Sequence, residues 1–328
     1  MDLHGLDLNL LVVLDALFTQ RSVTRASERQ SATSSALGRL RAFFKDDLLL
    51  PVGRKMLLTP YAEGLVDPVR DLLLRTEAII KHDTIFHPET VSRNFRIMMS
   101  DYAATVLMPE ILPRLEQLAP RVTLEINSHL DSPAEKLERG ETDLLIYPRG
   151  HNSPHHPCED LFKEDFVCLV WSKNELVKET ISLEQYLAMG HVASTVGDQH
   201  MPTIDKTVFE RLGYERRIEI HAMAFNLVPE LVVGTKRIAT VHRRLAQKHA
   251  AFLPIRLLEP PIAIPLFTET IQWHKYRDSD PAIAWLRKLI HEAANPTGAV
   301  SNPRPQTKPA RVRKLHNSKA LGLKVSTM

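Results

Sequence analysis

Residues 21–50 read RSVTRASERQSATSSALGRLRAFFKDDLLL, and this stretch decides the fold of the N-terminal region. Five arginines lie between Arg21 and Arg41, where Glu28 is the single acidic residue. Arginines among small residues, followed by a bulky apolar end, are typical of paired helices with one basic face. Such a patch predicts contact with phosphate groups, and a solvated charged helix face is the alternative.

Helical spacing extends on both sides of the basic patch. Upstream, an apolar stripe at three- and four-residue spacing predicts a first helix. The stripe consists of Leu10, Val13, Leu14, Leu17 and Phe18. Ser22 can cap a second helix over residues 23–29, and Leu37, Leu40 and Phe44 would form the buried face of a third.

The turn between the second and third helices is short. Residues 30–32 form a minimal turn if Thr33 caps the third helix, because a helix-turn-helix needs about three or four turn residues. The alternative is one continuous helix over residues 23–44. No proline forbids that helix, but its middle would carry no large apolar residue to anchor it.

A β-ribbon is predicted after the third helix, in residues 46–60, DDLLLPVGRKMLLTP. Two short apolar runs flank Gly53 and would place Arg54 and Lys55 at the tip of the ribbon. Helices followed by a basic ribbon form a winged helix-turn-helix, which we predict for residues 1–59. Polar residues at the start of the third helix would enter the major groove, and most arginines would contact phosphates. The predicted DNA-binding residues are Arg21, Arg25, Thr33, Ser34, Ser35, Arg39, Arg41, Arg54 and Lys55.

A long helix is predicted next, over residues 60–91. Thr59 and Pro60 form a strong helix start, and Pro68 predicts a local kink. Spacings of four and three residues give a heptad seam on which two chains could pair. The seam consists of Leu65, Val69, Leu72, Thr76 and Ile79. The alternative is a helix that packs on its own domain.

Strands alternate with helices in residues 92–294, which predicts an α/β domain of two lobes with parallel sheets. Strand-like runs include FRIMMS, VTLEIN, DLLIYP, FVCLVW, RIEIHA and RIATVH. IPLFTETIQWH followed by PAIAWLRKLIHEA reads as a late strand and a closing helix that return to the first lobe. Open α/β sheets bind ligands at the carboxyl ends of their strands, so the predicted site is the cleft between the lobes.

Charge and composition separate the folded chain from its end. The 328 residues carry a formal charge of +3, but the seven Lys or Arg after residue 294 leave the preceding residues at −4. Residues 295–328 are rich in Pro, Ser, Asn and basic residues, which predicts a disordered basic tail. The absence of an apolar run of about 18 residues predicts a cytoplasmic protein without membrane contact. Two cysteines, Cys158 and Cys168, fit a reducing compartment.

Several stretches together resemble the LysR-type transcriptional regulators, over about residues 1–294. They are LDLNLLVVLDAL, RSVTRASER, SSALGRLRAFFKDDLLL, VGRKMLLTPYA and WHKYRDSDPAIAWLRKLI. The chain is most similar to the aromatic-responsive branch that includes the NodD, NahR and LinR proteins. The resemblance implies an activator with a winged helix-turn-helix, a dimerising linker helix and a two-lobed, periplasmic-binding-protein-like inducer domain. It also implies homotetramers, as dimers of dimers, that bind double-stranded promoter DNA and act with RNA polymerase.

The resemblance further implies a site for a small aromatic inducer, with no cofactor, no metal and no catalytic residue. Polar groups at the start of the first helix of this domain would favour a carboxylate or phenolate on the ligand. The expected operon serves degradation of, or response to, an aromatic compound. The implied inducer-binding residues are Ser100, Asp101, Phe162, Glu164, Thr195, His200, Met201, Phe225 and Trp273.

Two alternatives remain open at this point. The segment RQSATSSA is shorter than in family members and has Gln30 where they have a core leucine, which predicts weakened sequence-specific DNA binding. The chain would then act as an inducer-binding oligomer with impaired DNA binding. The second alternative is a metal-dependent enzyme that uses the loop HNSPHHPC, with His151, His155, His156 and Cys158. A surface loop is the simpler interpretation, because no second ligand pair has finger-like spacing.

Overall fold

The computed structural model describes residues 7–22, 33–53, 55–80, 86–129, 132–195 and 203–295. By its internal contacts the chain divides into Met1–Asn295 and Pro296–Met328, and the second unit lies outside the described residues. The predicted tail disorder and the domain limits at residues 59, 91 and 294 therefore stay predictions. None of the described helices is long and apolar enough to cross a membrane.

Two helices begin the described structure, α1 (Leu8–Gln20) and α2 (Thr33–Phe44). Asp7 caps α1 by accepting a hydrogen bond from the Asn9 amide at 2.9 Å. All five residues of the predicted α1 stripe are buried, and α2 buries Leu37 and Leu40 against them. The predicted second helix and its turn lie outside the described residues, so one continuous helix stays an alternative.

The predicted wing is an antiparallel hairpin of β1 (Leu49–Val52) and β2 (Lys55–Leu58). Val52 pairs with Lys55, and Gly53 has a φ of +61°. This left-handed conformation is easiest for glycine and turns the chain between the two strands.

The linker helix α3 (Pro60–Ile80) begins at the predicted cap and continues through Pro68. The prediction that it extends to residue 91 was wrong, because residues 86–91 are not helical. Thr59 accepts a hydrogen bond from the Ala62 amide at 3.1 Å. The predicted heptad seam is divided between two roles. Val69 is buried in the N-terminal core and Leu65 packs against it, whereas Leu72 is 42% and Ile79 75% exposed. The first half of the seam thus packs on its own domain, as the alternative interpretation held, because α1 already covers it.

Lobe 1 is a five-stranded sheet in the order β4-β3-β5-β12-β6. Its strands are β3 (Asn94–Met99), β4 (Thr123–Ser128), β5 (Leu144–Pro148), β6 (Cys158–Glu164) and β12 (Phe267–Trp273). The β3 strand is parallel to β4 and β5, and β12 is antiparallel to β5 and β6. Helices α4 (Asp101–Leu118) and α10 (Pro281–Ala294) cover the sheet, so the late strand and closing helix return to lobe 1 as predicted. A short helix, α5 (Pro133–Glu138), precedes β5, and a 3-10 turn, Lys275–Arg277, follows β12.

Lobe 2 has the same plan, in the order β11-β7-β10-β8-β9. Its strands are β7 (Phe166–Trp171), β8 (His191–Ser194), β9 (Ile218–Ala222), β10 (Ile238–His242) and β11 (Ile255–Leu258). Its helices are α6 (Leu183–Ala188), α7 (Ile204–Arg211), α8 (Leu227–Val232) and α9 (Arg243–Ala250). The β8 strand is parallel to β9 and β10, and β7 is antiparallel to β10 and β11. Lobe 2 is one continuous segment, inserted between β6 and β12 of lobe 1.

Candidate functional site

A cavity lies between the two sheets, and both lobes supply its walls. Carboxyl ends of parallel strands reach it from each side: Ser100 follows β3, Ser194 ends β8 and His242 ends β10. Phe166 begins β7, and Glu269 lies near the start of β12, so the antiparallel strands enter from their opposite ends. The predicted cleft is therefore where strand topology alone would place a ligand site.

His242 of lobe 2 is the centre of an aromatic cluster. Its ring is stacked on the Tyr102 ring of lobe 1, with centroids 3.9 Å apart and planes at 17°. Phe166, Phe225 and Phe267 surround it at centroid distances of 4.9 to 5.6 Å. Burial lowers the pKa of His242 from 6.5 to about 4, so the imidazole is neutral at physiological pH. Flat aromatic walls of this kind suit an aromatic ligand.

Two buried carboxyl groups of lobe 1 lie close to this aromatic cluster. Burial, and then the charge of Glu164, raises the pKa of Glu269 from 4.5 to about 8. Glu269 is therefore mainly a neutral acid at pH 7. Glu164 accepts hydrogen bonds from the Tyr102 hydroxyl and from the Asp165 amide. Arg244 lies 3.7 Å from the same carboxylate, so Glu164 has the partners that Glu269 lacks.

Three buried polar atoms on residues that line the cavity have no hydrogen-bond partner among the described residues. They are Oε2 of Glu269, Nδ1 of His242 and Nδ1 of His129. Burial also lowers the pKa of His129, whose ring meets Tyr147 edge to face at 5.1 Å. A buried polar atom without a partner costs about 1 to 3 kcal/mol. A ligand that supplies these hydrogen bonds would recover that free energy.

The described lining contains no Lys or Arg side chain. Its acidic residues are Glu269 and Asp205, and Asp205 is paired with Arg216 of lobe 2 at 2.7 Å. Among these described residues an anionic ligand would have no Lys or Arg beside it, and burying an unpaired charge is strongly unfavourable. This arrangement favours an uncharged ligand over the carboxylate or phenolate expected from the helix start.

Three of the predicted inducer-binding residues belong to the cavity or its immediate support. Ser100 and Phe225 line it, and Ser100 also caps α4 by accepting from the Ala103 amide at 3.0 Å. Glu164 lies behind Tyr102 and accepts a hydrogen bond from its hydroxyl group. Asp101 instead joins the lobes, because its carboxylate accepts from the Asn226 amide of lobe 2 at 2.8 Å.

Phe162, Thr195 and Trp273 are not among the described residues that line the cavity. Phe162 and Trp273 are buried in the lobe 1 core beneath arginine side chains, Arg244 and Arg287 respectively. The backbone amide and the hydroxyl of Thr195 both donate hydrogen bonds to the Ala222 carbonyl of β9. His200 and Met201 lie outside the described residues. Trp273 is turned inward because its indole N–H donates to Asp278 at 3.0 Å.

Sequence reasoning missed most of the polar lining. The signal for His242 was available, since it directly ends the strand RIATVH at a carboxyl end that faces the cleft. Glu269 had a weaker signal, the single carboxylate of the strand FTETIQW. Tyr102, in the first turn of α4, had none beyond its proximity to Ser100.

The predicted DNA-facing residues fall into three groups. Exposed side chains are Arg21, Ser34, Ser35 and Arg39. Thr33 is only 1% exposed, so it packs in the core and cannot contact DNA. Arg41 donates to the carbonyls of Asp47 and Leu49 at 2.8 and 3.0 Å. It therefore fixes the wing rather than a phosphate. Arg25, Arg54 and the side chain of Lys55 lie outside the described structure.

The histidine loop does not assemble as the sequence suggested. His151 lines the cavity and His155 is exposed, whereas His156 approaches Glu138 and His274 closely enough to hold a metal ion. Nδ1 of His156 and Nδ1 of His274, however, each accept a backbone N–H, at 3.3 and 3.2 Å. In each neutral ring the proton is then on Nε2, which leaves that atom no lone pair for a metal.

Comparisons with known proteins agree with this architecture. Residues 88–295 match the family model described as the LysR substrate binding domain. The chain is 41% identical over 299 residues to nodulation protein D 1 of Mesorhizobium japonicum, covering 90% of this chain and 95% of the relative. It is 39% identical over 316 residues to nodulation protein D of Bradyrhizobium sp. (strain ANU 289), covering 95% and 93%.

Solved structures give the same result for the fold. A probable transcriptional regulator from Pseudomonas aeruginosa is 27% identical, with a TM-score of 0.62 over 88% of this chain and 97% of that one. Full-length OxyR of the same organism is 18% identical and has a TM-score of 0.69 over 93% and 99%. The second likeness concerns the fold alone.

Proposed function

Because the chain belongs to the LysR-type transcriptional regulators, we propose that a small uncharged hydroxyaromatic inducer binds between its lobes and activates transcription. A regulator of this family is not an enzyme, which excludes the alternative of a metal-dependent enzyme. The proposed target is an operon for degradation of, or response to, the same class of aromatic compound. Ligand binding would shift an existing equilibrium of lobe arrangements, because it favours the arrangement that completes the site.

The cavity lining is the observation that carries this proposal. Aromatic rings cover the walls, and no described lining residue is Lys or Arg. At neutral pH the Glu269 carboxyl can donate to a ligand oxygen, and the neutral His242 ring can accept from a hydroxyl if Nδ1 carries no proton. A ligand with one hydroxyl or carbonyl and a flat apolar body satisfies these groups and fills the aromatic cluster.

The proposed assembly is a dimer of dimers that binds promoter DNA and acts with RNA polymerase. Its support is the second half of the linker helix, where Leu72 and Ile79 expose apolar side chains seven residues apart on one face. Burial of these side chains against a second chain is favourable, at about 25 cal/mol for each Å² removed from water.

A nodulation operon is the second candidate target. The observation that favours it is the identity of 38 to 41%, over at least 90% of this chain, to relatives named nodulation protein D. The two candidates share the inducer site and differ only in the genes controlled. Sequencing the promoter fragments that the protein retains from its own genome separates them.

Two probes of equal size test the inducer class: 4-hydroxyacetophenone, which is neutral, and 4-hydroxybenzoate, which carries a carboxylate. Calorimetry and thermal unfolding should show the neutral probe binding at least about tenfold more tightly, because the acid buries an unpaired charge. Tighter binding of the acid would contradict the proposal. Phe225→Ala should weaken binding of the neutral probe, and Phe252→Ala, which truncates an exposed side chain of lobe 2, should not.

A further inference from the structure

One face of the linker helix lies against lobe 1 of the same chain. Leu74 contacts Gly140, and Glu77 lies 3.4 Å from Arg277. Arg70, one turn earlier, lies 3.8 Å from Glu141. Residues 70, 74 and 77 are spaced by four and three, so they form a single stripe along the helix. The helix thus rests on lobe 1 along this whole stripe and not through one isolated ion pair. We call this contact the seat; it consists of Arg70, Leu74 and Glu77 on the helix and Gly140, Glu141 and Arg277 on lobe 1.

Gly140 is the residue that allows this seat. Its φ is +64°, and a Cβ atom there would lie 2.4 Å from Cδ2 of Leu74. The positive φ favours glycine, and a side chain at this position would displace the end of the Leu74 side chain. The backbone around it is held firmly, because Arg96 of β3 donates to the Gly140 carbonyl at 3.0 Å.

The same helix holds the DNA-binding unit at the seat. The Arg70 guanidinium contacts Asp15 of α1 at 3.0 Å and donates to the Thr19 hydroxyl at 2.6 Å. Arg70 is 8% exposed, whereas the side chain of its partner Asp15 is 30% exposed, so these contacts are half-buried. One side chain thus touches α1 on one side and Glu141 of lobe 1 on the other.

The seat and the cavity lie at opposite ends of the same strands. Arg96, which holds Gly140, is four residues before Ser100 of the cavity along β3 and its continuation. Glu141 precedes β5, whose last residues line the cavity, and Arg277 follows β12, which carries Glu269. Strands are stiff along their length, at about 3.3 Å per residue. A shift of lobe 1 at the cavity is therefore also a shift at the seat.

We propose that Gly140 seats Leu74 and that this seat fixes the DNA-binding unit relative to the ligand cavity. Gly140 and Leu74 are positioning residues, since neither lines the cavity. Contacts of Arg70 and Arg277 stabilise the seat at its two ends. The role of the seat depends on the regulator fold and not on the aromatic inducer proposed above, so an experiment can contradict one proposal without contradicting the other.

Gly140→Asn is the variant that tests the seat. Asparagine tolerates positive φ better than other residues with a side chain, so the main effect is a wedge against Leu74. Gly234→Asn is the matched control, because Gly234 has a φ of +75° with nothing near its missing Cβ. Leu74→Ala added to Gly140→Asn should remove the wedge and restore the wild-type arrangement.

The measurement is the distance between spin labels on the DNA-binding unit and on lobe 1. Cysteines that carry the labels replace the exposed residues Ala42 and Gln117 in a chain without its natural cysteines. Labelled chains are mixed with an excess of unlabelled chains, so that only distances within one chain are measured. Wild type and Gly234→Asn should give one narrow distance distribution. Gly140→Asn should broaden and shift it, and the double variant should narrow it again. An unchanged distribution in Gly140→Asn, or equal broadening in Gly234→Asn, overturns the proposal.

A charge reversal keeps the test decisive if the wedge prevents folding. Glu77→Arg places a like charge against Arg277 and should broaden the same distribution. Glu63→Arg, at an exposed position near the start of the helix, should leave it narrow. Thermal unfolding of each pair separates loss of the seat from general destabilisation, because a purely structural role would lower the midpoint without changing the distance. Equal distributions for the two reversals contradict the proposal.

Discussion

Lobe 1 and lobe 2 share a five-stranded plan, yet they are connected differently to the rest of the molecule. Lobe 1 holds the linker helix through Gly140, Glu141 and Arg277. Lobe 2 contributes about half of the cavity wall, including His242 and Phe225. Two lobes of the same fold therefore serve different tasks in this molecule. Lobe 1 contacts the linker helix that carries the DNA-binding unit, and lobe 2 completes the proposed ligand cavity.

The largest expected effect comes from breaking one buried ion pair in each lobe. Arg277 and Asp143 of lobe 1 are 2.6 Å apart, and Arg216 and Asp205 of lobe 2 are 2.7 Å apart. Replacing either arginine by methionine leaves a buried carboxylate without its partner and should cost about 3 to 5 kcal/mol of unfolding free energy. Denaturant unfolding measures this loss in both variants.

The same two variants should differ in domain arrangement. Arg277→Met also removes the contact with Glu77, so the distance between the DNA-binding unit and lobe 1 should broaden. Arg216→Met should leave that distance narrow. Equal broadening would show that the two lobes do not differ in their attachment to the linker helix.

The next effect is the dependence of stability on pH between 4.5 and about 8, which Glu269 of lobe 1 should control. Its pKa is 4.5 when unfolded and about 8 when folded, so folding binds a proton between these values. Stability from this group is complete below pH 4.5 and falls as pH rises to 8, by up to about 1.4 kcal/mol per unit. Glu269→Gln should flatten this slope in denaturant unfolding. Glu219→Gln, on the surface of lobe 2, is the control and should not.

His242 of lobe 2 should have the opposite and smaller effect. Its pKa falls from 6.5 to about 4 on folding, so the folded state binds fewer protons between these values. Its contribution is complete above pH 6.5 and is lost as pH falls to 4. His242→Phe should reduce this acid-side loss, and His155→Gln, at an exposed position, should retain it. A slope that persists in His242→Phe would assign the effect to another group.

The smallest expected effect on the free energy of unfolding is the loss of one helix cap in each lobe. Ser100 caps α4 of lobe 1, and Ser182 caps α6 of lobe 2 in a reciprocal capping box with Gln185. Either change to alanine should cost about 1 kcal/mol. Only Ser100→Ala should also weaken binding of 4-hydroxyacetophenone, since Ser100 lines the cavity. Weakening of equal size in Ser182→Ala would assign the loss to stability alone.

Local periodicity predicted most of the fold. The α1 stripe, the ribbon around Gly53 and the α/β alternation each depend on neighbours in the sequence, and each is present. Ser100, which the resemblance implied as an inducer-binding residue, lines the cavity. These features were predictable because the residues that decide them lie within a few positions of one another.

Side chains with partners far along the chain were not predictable in the same way. Arg41 was expected on DNA, but it binds wing carbonyls exposed by the turn before β1. Trp273 was expected in the cavity, but Asp278 and the lobe 1 core hold it inward. Glu269 acquires its raised pKa only when β12 lies between β5 and β6. Each outcome depends on which strands become neighbours, and periodicity does not encode that.

The insertion of lobe 2 into lobe 1 has a practical consequence for engineering. The two ends of the inserted segment lie beside each other, since the ring centroids of Phe166 and Phe267 are 5.6 Å apart. No residue of the segment between them belongs to the linker helix or its seat, so we expect its exchange for that of a relative to leave both unchanged. Such a hybrid would keep its promoter while gaining half of a foreign ligand cavity, which makes this boundary a natural joint for building biosensors.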